Sequence, residues 1–259
     1  MRRRRRTRVS DARTTEKTRP DDDRLGRTVC HRSRAGRRPD DVSGGAIHFA
    51  RGRVRALTPE GYEAAWNAIV PAAKELAERG VDAIMVIGTS LTFYRGYEAH
   101  QELLDRLRRE TGLPVSTMSE AVVDGLRSVG GKRIAVATAY ADEVNRRLAD
   151  FLRKSGFEVL ALEGFGLTGF GEPGGKSEQD IIDLSGKAIA GAKVADAVLI
   201  SCGGLLTLGV AEPIERRHGI PVVTSTQAAF WSAMRLAGDS GHVAGRGRML
   251  GQSEPVAAH

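Results

Sequence analysis

The second half of this chain repeats a pattern found in the first half. Residues 81–91 read VDAIMVIGTSL and residues 195–205 read ADAVLISCGGL, so the two segments align at an offset of 114 positions. The shorter segments GLPV at 112–115 and GIPV at 219–222 repeat in the same order. Each long segment begins with a continuous apolar run, which is typical of a parallel strand covered on both faces. The repeat therefore predicts two similar α/β lobes.

Helix and strand patterns alternate from residue 46 onward, as such lobes require. Thr58 and Pro59 predict a helix that has a capping side chain, a proline at its first position and an end near residue 79. We assign residues 46–130 together with 222–240 to the first lobe, 131–221 to the second lobe and 241–259 to a tail. The other predicted helices lie at about 97–111, after 119, and at about 141–155, 177–192, 208–218 and 228–236, and the predicted strands at 47–57, 81–87, 114–118, 134–138, 158–162, 197–200 and 221–224.

The first 45 residues do not follow this pattern. They hold 15 basic and 7 acidic residues and begin with five consecutive arginines, whereas the rest of the chain holds 24 basic and 25 acidic residues. The net charge of +7 therefore comes from one segment without apolar periodicity. We interpret residues 1–45 as a disordered tail, and we expect no specific nucleic-acid partner.

The first strand of the first lobe is missing or garbled in this sequence. The second lobe begins with the apolar run at 134–138, but the segment RLGRTVCHRSR at 24–34 has too few apolar residues for a buried central strand. Arginine-rich sequence without a pattern is typical of GC-rich DNA translated out of frame. We therefore hypothesise that residues 1–45 are not in the native reading frame. Translation of the other two frames of the upstream DNA tests this, and the absence of an apolar strand from both would refute it.

Composition excludes several classes of protein. No apolar run approaches the roughly 20 residues that a membrane span needs, so we expect no membrane partner. Two cysteines, Cys30 and Cys202, cannot form a disulfide framework, which favours the reducing cytoplasm. The six histidines are scattered, and no pair has the spacing of metal ligands. We expect no metal site.

Cys202 stands where a predicted strand runs into a glycine turn. The strand at 197–200 is followed by Ser-Cys-Gly-Gly, and ligands of open α/β sheets bind at the carboxyl ends of strands. Glycines there leave backbone N–H groups free to face an anion. The same residue could also be a small buried hydrophobe, as free cysteines often are. Its position in this segment leaves both interpretations open.

Three separated segments resemble one known family. Residues 88–96 (GTSLTFYRG), 137–140 (ATAY) and 201–208 (SCGGLLTL) are similar to signature segments of arylmalonate decarboxylases, which belong to the aspartate/glutamate racemase superfamily. The resemblance runs from about residue 47 to 238. It implies an α/β fold of two pseudo-symmetric, Rossmann-like lobes with four-stranded parallel sheets, and a cofactor-free site between them.

The resemblance also implies a role for individual residues. The retained carboxylate would be held by the hydroxyl groups of Thr89, Ser90 and Tyr140 and by backbone N–H groups near Ser90, Cys202 and Gly203. Cys202, as a neutral thiol, would protonate the enediolate that remains when CO2 leaves a small dicarboxylate substrate. An apolar wall would surround the leaving carboxylate, formed by Val54, Leu57, Tyr62, Phe170 and Pro173.

Two rival functions stay open at this point. Racemases and maleate isomerases of the same superfamily use two facing cysteines, but Gly88 stands where the first would be and Cys30 lies in the aberrant segment. A small-anion binder or an inactive paralogue is the other alternative, because the first strand is missing. The sequence favours decarboxylation, and it leaves the natural substrate, the handedness of the product and the oligomeric state open, a monomer being compatible with it.

Overall fold

The computed structural model describes residues 27–32, 46–51, 58–169 and 171–251. The described strands form two four-stranded sheets. The first sheet contains β1 (Arg27–Arg32), β2 (Ala46–Arg51), β3 (Ala83–Val86) and β4 (Val115–Thr117), and the second contains β5 (Arg133–Tyr140), β6 (Glu158–Leu167), β7 (Ala197–Ser201) and β8 (Val222–Thr224). The helices are α1 (Pro59–Glu78), α2 (Thr89–Phe93), α3 (Tyr97–Thr111), α4 (Met118–Ser128), α5 (Asp142–Lys154), α6 (Glu178–Ala192), α7 (Ala211–His218), α8 (Ser225–Leu236) and α9 (Arg248–Gly251), with a 3₁₀ turn at Glu172–Gly175.

The second sheet is parallel throughout. Its strand order is β6-β5-β7-β8, with Ala135 opposite Val198 and Val198 opposite Val222. The central strands are covered by helices on both faces, which explains why β7 is buried along its whole length and why its sequence does not alternate. The prediction of a parallel α/β lobe is confirmed here.

The first sheet is mixed, which corrects the prediction of a second all-parallel sheet. Its order is β2-β1-β3-β4, and β1 runs antiparallel to both β2 and β3. β1 occupies the place that β5 has in the second sheet, although it belongs to the segment predicted to be disordered. The peptide groups of β3 need hydrogen-bond partners on that side, and an antiparallel strand satisfies them as well as a parallel one. The other residues of the segment 1–45 lie outside the described residues, and the reading-frame hypothesis stays a hypothesis.

Local capping signals place the helices where the sequence predicts them. The Thr58 hydroxyl accepts a hydrogen bond from the Gly61 amide at 3.2 Å, with Pro59 at the first helical position of α1. At the start of α6, Ser177 and Asp180 form a reciprocal capping box. The short helices α2 and α9 are additional to the prediction, and β6 extends to Leu167, beyond the predicted strand at 158–162.

The two lobes exchange elements near the carboxyl end of the chain. β8 pairs with β7, so residues 222–224 belong to the second sheet and not to the first lobe as predicted. α8 then crosses back to pack on β3, β4 and α4, while the apolar face of α4 joins the core of the second lobe. Gly125 of α4 allows this close approach, because a Cβ there would lie 2.9 Å from the Met249 sulfur and 3.1 Å from Val223. The loops that follow β3 and β7 lie close enough together for Thr89 and Cys202 both to act on the Tyr140 hydroxyl.

Within the described part of the chain, no helix is long and apolar enough to cross a membrane.

Candidate active site

Two loops, one from each lobe, form the centre of the site. The first loop follows β3 and contains Gly88, Thr89 and Ser90, and the second follows β7 and contains Cys202 and Gly203. Both loops lie at carboxyl ends of strands, where the short loops of α/β sheets leave backbone groups available to ligands. Tyr140, at the end of β5, and Tyr62, on α1, complete the described part of the site.

Cys202 is a buried thiol that holds its proton tightly. Its side chain is 5% exposed, and burial raises the pKa of the thiol to about 11. The backbone amides of Gly204 and Leu205 and the Tyr140 hydroxyl stabilise the thiolate and reduce this rise, and the Gly204 amide lies 3.4 Å from Sγ. Because desolvation outweighs these donors, the neutral thiol dominates at physiological pH. Such a group is suited to give a proton rather than to take one.

Tyr140 connects the two loops. Its hydroxyl lies 3.4 Å from the Ser201 hydroxyl, and burial raises its pKa well above the usual value, with the nearby Cys202 adding to the rise. The side chains of Ser201 and Thr89 face the Tyr140 hydroxyl and partly offset this effect. Tyr140 is therefore a neutral hydrogen-bond donor between the β3 loop and the β7 loop.

Thr89 presents a buried hydroxyl group to the site. Its side chain is 2% exposed, and its hydroxyl oxygen makes no well-formed hydrogen bond to the described residues, although the Tyr140 hydroxyl faces it. An unsatisfied buried hydroxyl costs free energy, on the order of 1–3 kcal/mol, and such groups need an explanation. A bound anion that accepts from this hydroxyl would supply one.

Tyr62 lies beside the same loop, and its ring packs on Tyr94. Burial raises the pKa of its hydroxyl, the Ser90 side chain lowers it through a hydrogen bond, and Cys202 raises it. The Tyr62 ring stacks on Tyr94 with centroids 4.0 Å apart, and the Arg147 guanidinium lies 4.4 Å from the centre of the Tyr94 ring. Since Arg147 comes from the second lobe, this stack joins the lobes next to the site.

The structure brings most of the predicted polar residues together. Thr89, Ser90, Tyr140 and Cys202 share one cleft with Tyr62. The backbone of Gly203 is part of the same turn. Pro173 is buried in the 3₁₀ turn that approaches the Cys202 loop, where a Cβ on Gly174 would lie 3.9 Å from the Gly204 carbonyl oxygen. Val54, Leu57 and Phe170 lie outside the described residues and stay predictions.

Sequence reasoning missed three hydroxyl groups near the site. The Ser201 hydroxyl faces the Tyr140 hydroxyl. The Thr92 and Ser119 hydroxyls contact each other, and the Ser119 hydroxyl donates to the Thr89 carbonyl oxygen in the β3 loop. A signal for two of them existed, because Ser201 precedes the cysteine and Thr92 belongs to the GTSLT segment. Ser119 is distant from the loop in sequence, and only the fold brings it there.

In the described residues, no cluster of three histidine, cysteine or carboxylate side chains could hold a metal ion. The groups that meet in the cleft are neutral hydroxyls, a neutral thiol and backbone amides. Such groups can bind the oxygen atoms of an anion and deliver a proton to a basic carbon.

Comparison with known proteins identifies the family. The family model described as arylmalonate decarboxylase matches residues 38–250. This chain belongs to the arylmalonate decarboxylase family. It is 42% identical to the arylmalonate decarboxylase of Bordetella bronchiseptica over 199 residues, which cover 76% of this chain and 83% of that protein. The chain is accordingly a decarboxylase, a carbon–carbon lyase.

Solved structures agree with this assignment. A glycine-to-cysteine, cysteine-to-serine double mutant of arylmalonate decarboxylase, in the liganded form, superposes with a TM-score of 0.76 at 40% identity, covering 78% of this chain and 86% of that chain. The maleate cis-trans isomerase of Nocardia farcinica, bound to TRIS, has a TM-score of 0.72 at 22% identity and covers 78% of this chain and 84% of its own. The second likeness supports the fold.

Proposed function

We propose that this enzyme releases CO2 from a disubstituted, arylmalonate-type dicarboxylate and that Cys202 protonates the resulting enediolate. The observation that carries the proposal is a buried, neutral thiol beside the buried hydroxyl groups of Thr89 and Tyr140. The family membership supports the reaction class. The residues that act in it, and the independence from a cofactor, are proposals.

The retained carboxylate binds to the β3 loop. The hydroxyl groups of Thr89, Ser90 and Tyr140 donate to its oxygen atoms, and the backbone amides near Ser90, Cys202 and Gly203 provide further donors. When the C–C bond to the departing carboxylate breaks, its electron pair enters the remaining carboxylate and forms an enediolate. Donors fixed before the reaction stabilise this developing charge without reorganisation, and one such donor contributes a factor of about 10²–10³ to kcat.

The other carboxylate leaves because its surroundings do not solvate it. Tyr62 and Pro173 contribute to an apolar wall, and Val54, Leu57 and Phe170 are proposed to complete it. Replacing water by apolar groups destabilises the charged carboxylate relative to neutral CO2. Of the two carboxylates of the substrate, the one that contacts the wall is therefore the one that leaves as CO2.

Protonation completes the reaction. The Cys202 S–H bond breaks as a C–H bond forms at the α-carbon, and the thiolate then takes a proton from solvent, so each turnover consumes one proton. The high pKa of the thiol keeps the acid form available over the whole physiological range. A single donor on one face of a planar intermediate makes the product chiral.

Racemisation and cis-trans isomerisation are the less supported alternative. They need a second acid or base opposite Cys202, and the internal repeat aligns Gly88 with it. The maleate isomerase relatives are also more distant, as that of Nocardia farcinica is 22% identical over 218 residues. The arylmalonate decarboxylase double mutant changes a glycine and a cysteine that are as far apart in sequence as Gly88 and Cys202. This equal spacing supports the correspondence of Gly88 and Cys202 to that pair.

The test separates the two reactions with the full chain. We expect the purified protein to release CO2 from an aryl-methylmalonate and to leave the α-hydrogen of a 2-arylpropionate unexchanged in D2O over the same period. CO2 release followed by mass spectrometry and exchange followed by NMR measure both. Rapid α-hydrogen exchange without CO2 release would refute decarboxylation, and absence of both activities would favour the inactive paralogue. The cytoplasmic location stays a prediction.

A further inference from the structure

A buried chain of hydroxyl groups lies beneath the β3 loop. The Ser119 hydroxyl is 3.0 Å from the Thr89 carbonyl oxygen and 2.7 Å from the Thr92 hydroxyl. The Thr92 amide donates to the Gly88 carbonyl oxygen at 3.1 Å. Thr92 and Ser119 are at most 1% exposed. The Thr92 hydroxyl also lies 3.0 Å from the Gly88 carbonyl oxygen and 3.2 Å from the Thr89 carbonyl oxygen. Its shortest contact is with Ser119, so we assign the Thr92 O–H to Ser119 and the Ser119 O–H to the Thr89 carbonyl.

This chain fixes the direction of two peptide groups. In a trans peptide the N–H points opposite to the C=O of the preceding residue, and the described residues contain no cis peptide bond. Because Ser119 holds the Thr89 carbonyl on one side of the loop, the Ser90 N–H must face the other side. The bond from Thr92 to the Gly88 carbonyl orients the Thr89 N–H in the same way. These are N–H groups of the first turn of α2, which have no partner within the helix.

The second lobe lacks the same arrangement. The repeat places Thr226 at the position of Ser119 and Leu206 at the position of Thr92. Leucine has no hydroxyl, and the Thr226 hydroxyl makes no hydrogen bond within the described part of the chain. The hydroxyl chain is therefore not a requirement of the fold. It is specific to the loop that is proposed to bind the carboxylate.

The position of Ser119 is itself fixed by the start of α4. Thr117, the N-cap residue, accepts a hydrogen bond from the Glu120 amide at 3.0 Å. Its hydroxyl also lies 2.7 Å from Nε2 of the buried His100. α4 thus begins from a rigid point two residues before Ser119.

We infer that Ser119 is a positioning residue for decarboxylation, with Thr92 supporting it: the Ser119 hydroxyl aims the Ser90 amide at the carboxylate that becomes the enediolate. This inference rests on the proposed function of the β3 loop. A donor that is held in advance acts mainly in the transition state, where the charge on the oxygen atoms grows. Loss of Ser119 should consequently lower kcat more than it raises KM.

The test compares Ser119→Ala with Ser185→Ala. Ser185 is also fully buried, and its hydroxyl donates to the Ile181 carbonyl at 2.7 Å, but it lies on α6 outside the site. We expect Ser119→Ala to lower kcat about 10- to 100-fold, which is less than the loss of a whole oxyanion donor, and to change KM less than about threefold. Ser185→Ala should keep kcat within about twofold. Equal kcat values for the two variants would overturn the inference.

Two further variants test the direction of the chain. Thr92→Ser keeps the hydroxyl and should retain most of kcat, whereas Thr92→Val removes it and should lower kcat less than Ser119→Ala does. Combining Thr92→Val with Ser119→Ala should lower kcat less than the product of the two single losses, because the Thr92 hydroxyl acts partly through Ser119 and partly through its own contacts with the Gly88 and Thr89 carbonyl oxygens. Fully additive losses would contradict a single chain.

An NMR measurement separates this inference from the proposed function. The Ser90 amide should shift its resonance and exchange its hydrogen faster in Ser119→Ala but not in Ser185→Ala, whatever the reaction catalysed. If Cys202→Ala keeps full activity while the Ser90 amide still responds to Ser119, the proposed function fails and the positioning of the loop stands. If the Ser90 amide does not respond, the positioning role itself is wrong.

Discussion

Alkaline pH should destabilise this protein through one thiol. Burial raises the pKa of Cys202 to about 11, whereas an exposed cysteine has a value near 9.0. A raised folded-state pKa contributes stability that is complete below the unfolded-state value and is lost as pH rises through the folded-state value, here between about pH 9 and 11. At pH 10.5 the loss from this group is about 2 kcal/mol, since one pKa unit corresponds to about 1.4 kcal/mol.

Serine at position 202 provides the comparison, because it does not titrate and has a similar size. Urea unfolding of the wild type and of Cys202→Ser at pH 7.5 and 10.5 gives four free energies of unfolding. The contributions of the lysines, and of tyrosines remote from Cys202, cancel in their double difference, while Tyr62 and Tyr140 are coupled to Cys202. We expect the wild type to lose about 2 kcal/mol more than the variant. Equal losses would show that the thiol ionises as easily in the folded protein as in the unfolded chain. The thiol would then lack the high pKa that the proposed proton donor requires.

Three further predictions concern other parts of the site and its support. Tyr140→Phe removes one hydroxyl donor and should lower kcat for CO2 release about 10²- to 10³-fold with an unchanged fold by circular dichroism, and an unaltered kcat would remove Tyr140 from the site. Burial, with Arg108 nearby, lowers the pKa of His100 to about 4, so the wild type should lose about 2 kcal/mol of stability on going from pH 7.5 to 5 that His100→Gln does not lose, and parallel unfolding curves would contradict this. Gly88→Cys should cost about 1–3 kcal/mol in thermal unfolding, because φ is 125° there, and should gain α-hydrogen exchange of a 2-arylpropionate, whose absence would count against Gly88 facing Cys202.

Much of the fold follows from local patterns in the sequence. The capping residues at 58 and 177 mark the starts of α1 and α6, and the continuous apolar runs mark β3, β5 and β7. These elements depend on residues that are neighbours in sequence, so the periodicity of apolar residues predicts them. The strand β1 cannot be predicted in this way, since RTVCHR offers two apolar residues and its pairing depends on the open side of β3. The place of β8 in the second sheet is likewise decided by tertiary packing.

The site was predictable to the extent that its residues lie in short motifs. The segments around Thr89, Tyr140 and Cys202 end strands whose carboxyl ends must meet when the two lobes face each other. The supporting residues were not predictable in this way, because Ser119 and Arg147 reach the site through helices that begin far from it in sequence. The pairing of β3 with β4, which sets Val86 opposite Thr117, brings Ser119 beneath the β3 loop.

The proton that Cys202 delivers is the centre of this account. Turnover of an aryl-methylmalonate in D2O tests it in the wild type and in Cys202→Ala, with released CO2, deuterium content and optical purity of the 2-arylpropionate measured together. We expect the wild type to give a monodeuterated product with one enantiomer in excess. Loss of the positioned acid should slow Cys202→Ala about 10²- to 10⁴-fold and remove the excess from any product that forms. A Cys202→Ala variant with wild-type rate and optical purity would contradict the account.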